Sequence, residues 1–502
     1  MSAMAAQDAT MYWLSARTRN DLFLLYCFAD AGLPAADLRA FVAERSAGIA
    51  DLRVRARAVP GDLDYPSWVP CDFTPDQFIE HPLPEPNWAH LQAALGEVLD
   101  TGVAAAARPW RLHVFRGIVD APSPGHGEPV LVAVLQISHA LADGRRAAEI
   151  ARALFAEAGP GEEATSVGGA SRSGRLARAS TLATVVTWAR SVGAELGGFG
   201  PTASLQDSVP GLLRVPIRSA TSAPIAAVLA LPRMPIQLAR TVFRGYQAFR
   251  AQQELAELTT SGKLPSPGPD FPPSLVNQAA TEANSAHAVR MMVCDTAALR
   301  APGRTVTVVV LTAVSLALAR YLDGRGAAVR RLGAQVPMAL SDTAMANARN
   351  NYRSLSVDLC VDEPDLRLRA DKIAAAMADR RVRARHPLLT AQDRVTAVVP
   401  APLLRRDIAR YPLTTVPDAI TGHTVVSSVH RGPADLSFGG GRVHFTGGFP
   451  AIGSVMRLTH GVHGLGETVT ISLHADTATV PDLDAYSALL RAALAEVAQA
   501  LK

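Results

Sequence analysis

The order of apolar and polar positions divides the chain into elements. Residues 22–28 (LFLLYCF) are dense in Leu, Phe and Tyr after a polar turn at Arg19, Asn20 and Asp21, which predicts a buried strand. Residues 38–42 and 88–99 carry helical spacing. Residues 110–119 (WRLHVFRGIV) partly alternate apolar with basic side chains, as a strand with one wetter face would. Residues 130–138 (VLVAVLQIS) are apolar almost throughout, which predicts a central strand covered on both faces. That strand delivers His139 at its end. Beyond the turn 139–144, Ala148, Ile150, Ala151, Leu154 and Phe155 fall on one face of a helix over 145–158.

The second half repeats the mixture without repeating the sequence. Residues 287–294, 330–337, 355–359, 425–429, 442–446 and 468–474 read as strands. Residues 306–322 are apolar nearly all round and predict a buried helix. A further amphipathic helix spans 366–383, and Asp482 is placed to cap a last one over 483–501. Between the halves, 159–174 (GPGEEATSVGGASRSG) has the composition of a linker. Residues 176–257 mix helical stretches with Pro210, Pro216, Pro224, Pro232 and Pro235, and 264–273 are again rich in proline. The expected class is α+β, with domains at 1–165 and 286–502 joined by a Pro-interrupted helical crossover at 166–285.

With 502 residues, 48% of them hydrophobic, the chain can bury a large core, and two domains are the natural size. A formal charge of +4 gives no support to nucleic-acid binding. Cys27, Cys71, Cys294 and Cys360 are scattered, without a CxxC pair, and predict free thiols in a reducing cytoplasm. The N-terminal MSAMAAQDATMYWL lacks the basic start and apolar run of a signal peptide. The longest apolar runs, 306–319 and 223–232, fall short of the roughly 18–20 residues that span a bilayer. The expectation is a cytoplasmic protein, soluble or peripheral on the inner face of the membrane. Arg233, Arg240, Arg244 and Arg250, interleaved with apolar residues, suit either a lipid surface or a solvated helix face over a domain junction.

The chemical signal is Ser138-His139-Ala140-Leu141-Ala142-Asp143-Gly144, an HxxxDG pattern between an apolar strand and a helix. A His at a strand end is held by the sheet and exposed by the turn, which suits a base set against a hydroxyl. Gly144 would allow a tight backbone course, and Asp143 could fix the loop. The alternative is a plain turn in which His139 is a polar cap and Asp143 an N-cap. No GxSxG elbow, P-loop, HExxH helix or dinucleotide fingerprint is present. His460 and His463, in THGVHGLG, lack acidic or Cys partners in sequence and read as polar groups of a Gly-rich loop, so no metal is expected. Arg380, Arg381, Arg383, Arg385 and His386 could meet CoA phosphates or anionic lipid, or form a solvated helix end.

The HxxxDG segment resembles the HHxxxDG motif of the wax ester synthase/diacylglycerol acyltransferases (WS/DGAT), within the chloramphenicol-acetyltransferase-like, condensation-type acyltransferases. Further segments match in order: Asp8 in AAQDATMYWL, Arg108-Pro109-Trp110, Val336-Pro337, Asn351 in ARNNYRSLSV, Gly432-Pro433 before the run 439–441, and LHADTATVPDLDAY. The resemblance covers nearly the whole chain. It implies two chloramphenicol-acetyltransferase-like α/β sandwich domains around a central channel. It also implies His139 as general base, with Asp143 organising the loop. Ser138 and Gly144 would support the motif, and Pro109, Trp110, Asn351, Gly432 and Pro433 would lie near substrate. Acyl-CoA would be co-substrate, with no bound cofactor, and the acceptor a lipid or other alcohol such as diacylglycerol or a fatty alcohol. Association with a membrane or lipid-droplet surface goes with such substrates. Three positions depart from the family: Ser138 stands where its first motif His would be, Thr307-Val308 where a buried helix commonly opens with Asn-Asp, and SSVHRGP where Asn-Val-Pro-Gly-Pro is usual.

Overall fold

The computed structural model describes residues 2–122, 127–156, 234–279, 286–340 and 348–502. The linker expected at 159–174 and the helical stretches expected between 176 and 233 lie outside the described residues. Within the expected crossover, the described part is the helix Met234–Thr260 and the segment that follows it.

Two six-stranded mixed sheets carry the architecture. In the first, Val130–Ile137 lies between Leu22–Ala29 and Trp110–Ile118, antiparallel to both, and all eight of its residues are buried. An unbroken apolar run is what a strand covered on both faces requires. On one face lie the helix Gly144–Phe155 and the cluster of Leu24, Tyr26, Phe28, Leu135 and Phe155. On the other, Leu91 and Leu95 of the helix Trp88–Leu99 pack with Phe115, Val132 and Val134. The expected boundary at 285/286 is not respected by this sheet. Its order is Ser437–Phe438, Gly441–Phe449, Leu22–Ala29, Val130–Ile137, Trp110–Ile118, Phe78–Glu80, so two strands from the C-terminal half cross into it.

The second sheet runs Tyr352–Asp358, Gly333–Ala339, Thr424–His430, Leu458–Leu465, Thr468–Asp476, His287–Asp295. Its two faces differ as strand alternation requires. Leu355, Val357, Val426, Val462, Ile471 and Leu473 turn toward the helix Val306–Asp323 and the helices flanking it. That helix has the length and apolar composition of a membrane span, yet most of it is buried in protein, in the cluster it forms with these strands. The opposite face carries Tyr352 and Ser354, then Ser427 and Val429, then Thr470 and Ser472. It meets the first lobe, where a Cβ at Gly447 would strike Met291 and Ser472.

One expectation needs correction here. The segment holding His460 and His463 is no loop but the strand Leu458–Leu465, buried at every residue. His460 bridges the Thr424 hydroxyl and Tyr486, at 2.9 and 2.7 Å. The helix end Arg380–Arg385 is also less free than a solvated terminus. Arg380 donates to the Ser266 carbonyl, and Arg383 to the Pro265 carbonyl and Thr259 hydroxyl at 2.8 Å.

Thr424–His430 pairs in parallel with Gly333–Ala339 at only two positions, Thr424 with Ala334 and Val425 with Gln335. Past these no ladder pair joins the two strands, and at the far end of Gly333–Ala339 Ala339 pairs antiparallel with Tyr352. Pro337, Ser427 and Val429, beyond the paired positions, are part-exposed.

Candidate active site

His139 follows the buried motif strand and sits at the seam between the lobes, where its ring stacks on Tyr352 of the second sheet at 5.8 Å between centroids. Ser138 is fully buried. Its N–H donates to the Pro109 carbonyl at 2.8 Å, its carbonyl accepts from Leu141, and its hydroxyl accepts weakly from Ala140 N–H at 3.4 Å. The strand thus ends in a tight turn that leaves the imidazole part-exposed.

Imidazole Nδ1 lies 2.7 Å from Asn350 Oδ1. The Asn350 amide nitrogen donates to the His139 carbonyl at 2.7 Å and to Asp8 Oδ1 at 3.0 Å. The carbonyl can only accept, and Asp8, its pKa pushed up to about 6 by burial, is mostly ionised and accepting at pH 7, so the amide oxygen faces the ring and Nδ1 carries the hydrogen. Nε2 then holds the lone pair. Burial pulls the imidazole pKa below its ordinary 6.5, against the opposing pulls of backbone hydrogen bonds at His139 and Ala142, the Asn350 hydrogen bond and the Asp143 charge. A neutral imidazole at pH 7 is the form a general base needs.

Asp143 is almost completely buried and joins the lobes. Oδ1 accepts from Arg146 N–H, capping the helix Gly144–Phe155, and Oδ2 accepts from Asn351 N–H, both at 2.9 Å. Behind the turn, Asp51 takes Arg146 through two hydrogen bonds at 2.8 and 2.9 Å, and Arg349 at 2.6 Å. A cavity of about 690 Å³ adjoins the turn, lined by Trp68, Asp143, Arg145, Arg146, Arg349 and Asn351 among others.

The other residues expected near substrate take differing places around the motif turn. Trp110 is fully buried, donates its indole N–H to the Leu52 carbonyl at 2.9 Å and stacks on Phe73, so it supports the motif strand from within the core. Pro109 contributes its carbonyl to Ser138. Asn351 meets the motif turn through its backbone N–H, while its neighbour Asn350 supplies the side chain that touches His139. Gly432, at a φ of 92°, and Pro433 form a turn to which Arg152 is tied, its guanidinium 3.2 Å from the Pro433 carbonyl. Arg152 lies nine residues along the motif helix from Asp143, about 13 Å at the helical rise. Gly144 is not needed for a tight course: its φ is not positive, and a Cβ there would meet open space. Two of the three departures from the family pattern touch each other, since the Thr307 and Ser428 hydroxyls are 2.9 Å apart.

Ser138→Ala is expected to keep activity within about tenfold, because the hydroxyl makes one long local bond in a buried site. Ser138→His should not raise turnover, since the larger ring overpacks that site. An acceptor-specific loss in Ser138→Ala at unchanged stability, measured with saturating donor and varied alcohol, would place the hydroxyl at the substrate instead.

The two lobes, the pair of C-terminal strands that crosses into the first sheet and a histidine turn at the seam make the mixed α/β fold of chloramphenicol-acetyltransferase-like proteins. A wax ester synthase/diacylglycerol acyltransferase from Marinobacter aquaeolei VT8 superposes with a TM-score of 0.56 at 18% identity, covering 99% of this chain and 98% of that one. The first condensation domain of the calcium-dependent antibiotic synthetase, in complex with a substrate analogue, gives 0.52 at 14% identity, covering 100% and 97%. A starter condensation domain of rhizomide synthetase, in complex with C8-CoA and Leu-SNAC, gives 0.50 at 13%, covering 100% and 95%. No curated protein matches the sequence. Residues 349–498 match the WS/DGAT C-terminal domain, so the resemblance read from the motifs is borne out by a family model over that part of the chain and by fold over the whole of it.

Proposed function

We propose that this protein is an acyl-CoA-dependent O-acyltransferase that moves a long-chain acyl group to an alcohol, diacylglycerol or a fatty alcohol being the first acceptors to test. The observation that carries the proposal is His139, held as a neutral imidazole with Nε2 unprotonated at the lobe seam. Nε2 takes the hydroxyl proton as the acceptor oxygen attacks the thioester carbonyl. The tetrahedral intermediate collapses, the C–S bond breaks, and the imidazolium returns the proton to the CoA thiolate. No acyl-enzyme forms. One substrate would reach the ring past the unpaired stretch of Gly333–Ala339 and Thr424–His430, on the side of Tyr352. A related condensation domain's complex with C8-CoA supports acyl-CoA as donor.

The touching pair Thr307 and Ser428 replaces the family's usual groups together, which favours adding polar acceptors, sugar lipids and polyketide hydroxyls, to the assay panel. Release of free CoA from long-chain acyl-CoA, with and without each alcohol, is the test. Alcohol-dependent release supports the proposal. Binding of acyl-CoA without release under any acceptor would point to a lipid-binding protein.

Peripheral membrane association is part of the same proposal. On the helix Met234–Thr260, Ala248, Ala251 and Leu255 face the protein, while Ile236, Phe243, Tyr246 and Phe249 are exposed beside Arg240 and Arg250. No acidic residue occurs from 234 to 253. Apolar anchors with flanking cations suit an anionic lipid surface. Phe243→Glu with Phe249→Glu is expected to reduce co-sedimentation with vesicles containing phosphatidylglycerol about tenfold and to leave turnover of a soluble alcohol unchanged. Undiminished sedimentation would remove this helix from the membrane contact.

A further inference from the structure

His139 is gripped by a residue pair that neither the motif nor the family match assigns. Asp8, in the first turn of the helix Ala6–Leu14, is 1% exposed, and Asn350, in the segment leading to the strand Tyr352–Asp358, is 3% exposed. The Asp8 carboxylate accepts four hydrogen bonds from second-lobe donors: Arg349 N–H to both oxygens at 3.1 and 3.0 Å, Asn350 N–H at 2.9 Å, and the Asn350 amide at 3.0 Å. Every donor comes from two consecutive residues. The amide's second hydrogen goes to the His139 carbonyl, and its oxygen to the ring. Asn350 therefore has one allowed orientation, and that orientation leaves one allowed tautomer for the histidine.

We propose that Asp8 and Asn350 are positioning residues that act across the lobe seam, holding His139 as its Nδ1–H tautomer so that Nε2 is the basic nitrogen. Asn350 works directly on the ring. Asp8 works through Asn350, by refusing the amide any orientation but one: were the amide flipped, its oxygen would face the Asp8 carboxylate and the His139 carbonyl. Since the base and Asp8 belong to the first lobe and Asn350 to the second, the base is correctly prepared only when the lobes are docked. Asp143 from its own turn and Tyr352 from the second lobe also face the ring, and Asp8, pushed up to about 6 by burial, titrates in the same acid range. This inference rests on the role proposed for His139, but the tautomer can be read without activity.

The experiment is nitrogen-15 NMR of the full chain labelled at histidine, with the His139 resonances assigned by their loss in His139→Gln. The parent is expected to show Nδ1 protonated and Nε2 bare at pH 8, and Asn350→Ala to show a tautomer mixture. A protonated Nε2 in the parent, or an unchanged tautomer in Asn350→Ala, overturns the proposal whatever the enzyme's activity. In the acyl-transfer assay, Asn350→Ala is expected to lower kcat about 10- to 100-fold with the acyl-CoA KM within threefold. Its acid limb should move to lower pH, because the hydrogen bond that favours imidazolium is gone. Near-isosteric Asp8→Asn, which is less prone to misfold, should lower kcat about three- to tenfold with the same tautomer mixing. Parental kcat and acid limb in both variants would reduce the pair to a structural contact.

Discussion

His139→Ala is expected to lower turnover by about a hundred- to ten-thousandfold while acyl-CoA affinity stays within a few-fold, because losing a general base acts on proton transfer rather than binding. The substitution also strands Asn350 Oδ1 without its donor, at a cost of about 1–3 kcal/mol. His139→Gln, whose amide can donate to that oxygen, is the companion that separates lost chemistry from lost fold. Both should be inactive, and Gln the more stable. The pH profile adds a second check. Burial holds the imidazole below 6.5, so the base stays neutral as pH falls to that value. The parent should therefore keep most of its rate at pH 6.5 and lose about a decade per unit only further down. Full activity in a folded His139→Ala protein would dispose of the assignment.

Asp143→Ala should damage stability and activity together. It removes the cap of the motif helix, worth about 1 kcal/mol. It also leaves the Asn351 N–H without its acceptor, at about 1–3 kcal/mol more. A loss of roughly 2–4 kcal/mol corresponds to a Tm lowered by roughly 2–4 °C when all 502 residues melt together. Turnover should fall as well, because Asn351 adjoins the residue that holds the ring. A variant that melts like the parent yet is inactive would argue instead for Asp143 at the reacting atoms.

Strands with a continuous apolar run, such as Val130–Ile137, and helices with a clear apolar stripe were legible because burial and periodicity coincide in them. Leu458–Leu465 was not: Gly461 and Gly464 interrupt its apolar pattern, and both glycines are there because neighbours crowd in. A Cβ at Gly461 would lie 2.3 Å from the Gly448 carbonyl. The motif turn could be read from HxxxDG, since its three fixed residues are local. Asn350 could not, because the pair Asn350-Asn351 gives no local sign of which side chain faces the histidine and which backbone N–H meets Asp143. Asp8 stood out through resemblance alone; what it does depends on a contact between positions more than 340 apart in the chain. Trp110 misled for a related reason, since a large aromatic beside a motif strand suits a pocket wall and a core filler equally well.

The crossing strand has a bearing on how the molecule comes into being. Leu22–Ala29 gains its neighbour Gly441–Phe449 only after about 400 further residues have left the ribosome, roughly 20 to 80 seconds at ordinary rates of synthesis. Until then Leu22–Ala29, all eight of whose residues are Leu, Phe, Tyr, Cys or Ala, presents an unpaired strand edge, the kind that invites association with other chains. The nascent N-terminal lobe therefore carries an open strand edge through most of synthesis, and a strand made near the end of the chain is what seals it.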